Sequence, residues 1–79
     1  MKLSELQQGQ TAKVLHIQEG CDEVIRQRLL DLGFVRGTSI FIENFSPLND
    51  PIAYNVHSSQ ICLRKKDADQ IMIEVEEKK

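Results

Sequence analysis

The sequence predicts a mainly β domain: a small barrel of about five strands, with one α-helix in the long connection after the first strand and a 3₁₀ turn before the last. Three observations carry this prediction. Short runs of alternating apolar residues recur along the chain, as in half-buried strands. Only the segment from Cys21 to Leu32 combines helical spacing with helix-end signals. The chain has 79 residues, enough for one core and no second one.

The opening Leu3-Ser4-Glu5-Leu6-Gln7-Gln8-Gly9 fits a short helical turn. Ser4 and Gln7 stand at capping-box spacing, Gly9 ends the turn, and Leu3 and Leu6 seal one end of the core. Thr11 to Ile17 reads as the first strand, stopped by Gly20. In the helix, Asp22 and Glu23 complement the positive end of the macrodipole. Gly33 can take the left-handed C′ conformation, with Phe34 folding back on Leu29 in a Schellman motif. At about 100° per residue, Val24, Arg28, Cys21, Leu32, Ile25 and Leu29 share the apolar arc. Leu30 falls on the far side with Arg26, Gln27 and Asp31.

Thr38 to Phe45 is the second strand, and the loop 46–51 carries Pro47 and Pro51, which cannot donate to a ladder. Ile52, Tyr54 and Val56 alternate as a third strand, and His57-Ser58-Ser59 reads as a tight turn. Gln60 to Arg64 is the fourth strand. Lys65 to Gln70 suits a single 3₁₀ turn, with Asp67 and Gln70 at capping-box spacing. Ile71, Ile73 and Val75 alternate as the fifth. Five short strands cannot bury both faces as a flat sheet, whereas curling into a barrel hides the edges. This order is the layout of an SH3-like barrel.

Composition narrows the function classes. The chain is 41% hydrophobic and 28% charged, which suits an ordered globular domain. A net charge of -2 argues against bulk attraction to nucleic acid. The charge is uneven: Arg26, Arg28, Arg36, Arg64, Lys65 and Lys66 occupy the middle, while Asp22, Glu23, Glu74, Glu76 and Glu77 lie near the helix start and the C-terminal end. Two cysteines do not make a secreted-type disulfide framework, and no apolar run is long enough for a signal peptide or a membrane span. The expected setting is reducing and cytoplasmic, with no direct membrane insertion.

No constellation for catalysis stands out, and the chain is not expected to be an enzyme or to hold a cofactor. Serines 4, 39, 46, 58 and 59 have no base near them in sequence. The phosphate-cradling G-x-x-x-x-G-K-[ST] pattern is absent. His16, Cys21, His57 and Cys62 are the soft metal ligands, but none pair at chelating spacing, so no metal site is assigned. Surface recognition is the better reading. Leu30, Phe34 and Val35 form a candidate apolar patch beside Arg26 and Arg36, and Leu48 in the proline-framed loop is a second candidate contact. The alternative packs Phe34 inward on Leu29, with Leu30 capping a neighbouring loop. Arg26 and Arg36 are also the candidates for arginines acting in trans on a partner's reacting group, against an ordinary role as solvated charges. Arg64, Lys65 and Lys66 form a basic run read as a solubility device, or as a contact for acidic lipid or an acidic partner. A small-barrel nucleic-acid binder would need Phe41, Phe45 and Tyr54 as stacking platforms, but their strand positions favour the core.

Several segments resemble the FeoA family: the run from Arg28 to Thr38 (RLLDLGFVRGT), Ser46 to Ile52 (SPLNDPI), Leu63 to Ala68 (LRKKDA) and the opening Leu3 to Leu6. Family members usually carry Gly at the place of Asn49. The resemblance runs from about Met1 to Val75. It implies an SH3-like domain over 1–75; the charged tail over 76–79 is expected to fray, as chain ends do. It further implies an accessory role in bacterial ferrous iron uptake, with the membrane transporter FeoB as partner through its cytosolic portion. A monomer or weak homo-oligomer is expected. The same barrel occurs as a C-terminal module of iron- and manganese-dependent repressors, so a metal-responsive regulatory module is the alternative. With no winged helix ahead of it, the chain resembles the free-standing form.

Overall fold

Strand formation follows the β-branched residues. The computed structural model describes residues 1–45 and 50–76, with the backbone alone at 43–45. After a 3₁₀ turn at Leu3–Glu5 come β1 (Thr11–Ile17), α1 (Glu23–Asp31), β2 (Ser39–Phe45), β3 (Ile52–Val56), β4 (Ser59–Leu63), α2 (Lys65–Ala68) and β5 (Ile71–Glu76). The five strands form one sheet in the order β4-β3-β2-β1-β5, all pairs antiparallel. Bulges interrupt β1 between Val14 and His16 and β2 between Ile42 and Asn44. Each bulge bends its strand and increases the local twist, which helps the sheet curl round its apolar side. Tyr54, Phe34, Leu3 and Leu29 are the largest fully buried side chains in the single core. Strand β5 extends to Glu76, which pairs with Thr11. The remainder of the expected tail, 77–79, lies outside the described residues.

The N-terminal turn is built differently from the expected box. Glu5, not Gln7, reaches back to accept from the Lys2 backbone N–H at 2.9 Å. Ser4 instead donates its hydroxyl to Asp69, tying the turn to the far end of α2. Leu3 and Leu6 are buried, closing one end of the core.

The single turn before β5 is α-helical at its centre, with Ala68 and Asp69 donating to the carbonyls of Arg64 and Lys65, and 3₁₀ bonds flank it. Its cap comes from elsewhere. Asp50 accepts from the Lys65 N–H at 2.9 Å, while the expected cap residue Asp67 pairs with Arg28.

Helix α1 starts with Asp22 as N-cap, whose carboxylate accepts from the Val24 N–H at 2.8 Å. It ends in the expected Schellman motif: Phe34 donates to Leu29 and Gly33 to Leu30, with Gly33 at φ +108°. The buried arc is turned roughly a quarter of a revolution from the expected one. Leu29 is fully buried and Cys21, Ile25 and Leu30 pack against the core, whereas Val24 is 78% exposed. Two ties set this rotation. The Schellman exit carries Leu29 and Phe34 inward, and Arg28 turns outward to Asp67 at 2.9 Å. Counting apolar residues alone misses both, because the second is a contact with a segment 39 positions away.

Candidate functional site

The bulge in β1 makes the surface feature that matters most. Val14 pairs with Ile73 and His16 with Met72, so Leu15 is the extra residue. Alternation is broken there: Leu15 and His16 both reach the surface, while Val14 and Ile17 remain buried. Next to the bulge, Gly37 donates to the Val14 carbonyl at 2.9 Å and Val14 donates to Thr38 at 2.9 Å. Thr38 also donates to Val35, closing a turn over Val35-Arg36-Gly37-Thr38 with Gly37 at φ +88°. A turn of this shape needs positive φ at its third residue, which glycine supplies at no steric cost. The turn therefore holds Arg36 at a fixed place beside the bulge.

Leu15, His16 and Ile17 from β1, Arg26 and Leu30 from α1, and Phe34 and Arg36 from the link to β2 line one shallow depression of about 260 Å³. Four of the six residues expected to meet a partner converge here: Arg26, Leu30, Phe34 and Arg36. The reading of an exposed patch needs correction in two places, and for Phe34 the alternative of inward packing on Leu29 is the one seen. Phe34 is fully buried and can only form the floor, because the Schellman bond to Leu29 pulls it into the core. Leu30 is half-buried against the core rather than standing clear on the far side of the helix. Val35 is exposed beside the depression without lining it. Leu48 lies outside the described residues. Nothing in the sequence marks Leu15 and Ile17 as site residues, because a bulge in a regular-looking strand leaves no mark in the apolar pattern.

The other candidates scatter. Cys21 lies half-buried at the start of α1, Cys62 is exposed on β4, and His57 is exposed in the β3–β4 turn. Among the described residues no three His, Cys, Asp or Glu side chains come together in a way that could hold a metal ion. A polar hollow between the two helices is lined by Cys21, Asp22, Lys66, Asp67 and Asp69 among others. Its acids are already engaged, Asp67 by Arg28 and Asp69 by Ser4. Of the aromatics weighed as stacking platforms, Tyr54 is fully buried, whereas Phe41 is 41% exposed on the outer face of β2. That exposure departs from the core position expected for it. Phe41 falls on the solvent side of the pleat, opposite Thr11 and Asn55.

Five antiparallel strands in this order, a helix in the first long connection and a helical turn before the last strand define a small SH3-like barrel domain with a surface depression as its site. Among the described residues, no helix is long and apolar enough to cross a membrane. The model of the FeoA domain matches residues 1–75, and the chain belongs to the FeoA family. The FeoA domain is a small accessory SH3-like domain, not an enzyme family, and a fused relative links it to ferrous iron transport. A Porphyromonas gingivalis relative is 39% identical over 75 residues, which are 95% of this chain. That relative is a fusion of Fe(2+) transport protein A with the Fe(2+) transporter FeoB, and the chain spans only 9% of its length. The solution structure of a FeoA-like protein from Clostridium acetobutylicum is 34% identical, with a TM-score of 0.87, covering 100% of this chain and 90% of that one. The crystal structure of Stenotrophomonas maltophilia FeoA complexed with zinc, described as a procaryotic SH3 domain protein, is 29% identical. Its TM-score is 0.82, over 94% of this chain and 89% of that one.

Proposed function

We propose that this domain is a cytoplasmic accessory component of ferrous iron uptake that docks on the cytosolic portion of the FeoB transporter and modulates it. The depression between the β1 bulge, α1 and the Gly37 turn is the docking surface. The observation that carries this reading is the convergence of Arg26 and Leu30 from α1 with Phe34 and Arg36 from the link to β2 on one concave face. A preformed surface with an apolar floor and a polar rim has the anatomy of a protein contact. Its volume falls below the ~300–1,000 Å³ usual for small-molecule sites, so it suits an anchoring side chain better than a cofactor. The fused relative adds support, because joining two proteins in one chain raises their effective concentration and favours pairs that work in contact.

The test is association of the purified domain with the FeoB cytosolic portion. Leu30→Glu places a carboxylate on the apolar wall and is expected to cost about 1–2 kcal/mol or more of binding. Because Leu30 also packs on the core, Val35→Glu, which touches only the exposed margin, serves as a second variant with an intact fold. Wild-type affinity in both variants, with unchanged circular dichroism, would reject this surface.

A further inference from the structure

The depression carries charge of one sign. Its apolar wall and floor are Leu15, Leu30 and Phe34, its polar members are His16, Arg26 and Arg36, and no carboxylate lines it. Neither the Arg26 nor the Arg36 side chain has an ion pair or hydrogen bond among the described residues. Arg28, on the same helix, does have one: its guanidinium meets Asp67 at 2.9 Å. One arginine of α1 is thus satisfied within the fold, while the half-buried Arg26 faces the depression unpaired. A guanidinium drawn partly out of water without a partner is unfavourable unless something supplies the missing oxygens.

We infer that the depression recognises an acidic amphipathic segment of a partner protein, with an apolar anchor seated over Phe34 between Leu15 and Leu30 and carboxylates meeting Arg26 and Arg36. This rests on the docking reading above and adds the chemistry of the docked segment. Both arginines are held by rigid backbone, Arg26 by α1 and Arg36 by the turn hydrogen-bonded to Val14. Their forked donors suit bidentate carboxylate recognition, and preorganisation lowers the entropy cost of capture. A bilayer fits less well. Two basic side chains on a chain of net charge -2 attract an anionic surface weakly, and a concave floor does not insert.

The probe is a fluorescent helical peptide whose leucine stripe is flanked by glutamates, with a lysine-flanked counterpart as control. Fluorescence anisotropy with the full chain is expected to show the glutamate peptide binding about tenfold or more tighter than the control, an advantage that shrinks between about 50 and 500 mM salt. Arg26→Glu combined with Arg36→Glu is expected to invert the preference. If that pair perturbs the fold, Arg26→Gln with Arg36→Gln is expected to abolish the preference. Equal binding of both peptides by the wild-type chain, or a preference unmoved in the double variants, overturns the inference. The same variants separate it from the docking reading. Loss of FeoB association in Leu30→Glu with no change in the arginine pair overturns the charge inference and leaves the docking surface standing. Wild-type association in Leu30→Glu, Val35→Glu and the arginine pair rejects the surface itself. Sedimentation with phosphatidylserine vesicles, or a concentration-dependent dimer, that the arginine pair abolishes while FeoB association persists would assign the depression to a bilayer or to a second copy instead.

Discussion

Tyr54 is the only tyrosine in the chain, is fully buried at the centre of β3, and its hydroxyl has no hydrogen-bond partner among the described residues. Burial, with smaller contributions from Asp50 and Asp69, pushes its pKa up to about 12 from the ordinary 10.0. The folded chain therefore holds this proton more tightly than the unfolded chain does. The associated stability is fully present below pH ~10 and is lost as pH rises through ~12. A shift of that size corresponds to roughly 2–3 kcal/mol. Absorbance titration of the single phenol should show no ionisation in the native chain until unfolding begins. Tyr54→Phe should flatten the alkaline limb of the stability profile. It should also leave stability near neutral pH unchanged or raised, because it removes a buried group that cannot hydrogen-bond. An alkaline limb equally steep in Tyr54→Phe would show that another group drives it.

The β3–β4 hairpin closes through two residues, His57 and Ser58, at φ +52° and +65°, between the paired Val56 and Ser59. These are the angles of a type I′ turn, normally built with Asn-Gly. Ser58→Gly removes a left-handed penalty of about 1–2 kcal/mol and adds about 0.5–1 kcal/mol of chain entropy, so a gain of roughly 0.5–1 kcal/mol is expected in chemical denaturation. A loss of stability would mean that Ser58 makes an interaction worth more than its strain. His57 keeps its place for another reason: a side chain at Gly33 would come within 3.1 Å of its ring, so the hairpin tip and the helix exit are packed together. At this scale the strands, the helix and the Schellman exit were all legible, because each writes a local signal: alternation, a first-turn carboxylate pair, a glycine followed by Phe34. The rotation of α1 and the bulge at Leu15 were not. Both depend on partners far along the chain, Asp67 for the helix and Ile73 and Met72 for the strand. The candidate site was accordingly half legible: its arginines, Leu30 and the inward fold of Phe34 came from the helix and its exit, while Leu15 is a product of the bulge.

Across the whole molecule, the sheet has two outer strands, and they are treated differently. The Ile73 N–H donates to the Met1 carbonyl at 2.8 Å and Lys2 bridges to Met72, so the first residues lie along the outside of β5. The outer side of β4 has no ladder partner among the described residues. An unpaired strand invites another chain, but strings of copies need two such sides. With one flank occupied, contact through strand edges stops after an edge-to-edge pair joined β4 to β4. Deleting Met1 and Lys2 should open the second flank, and light scattering should then report growth beyond dimers at concentrations where the intact chain does not grow. A shortened chain that stays as small as the parent would mean that these two residues are not what keeps polymerisation in check.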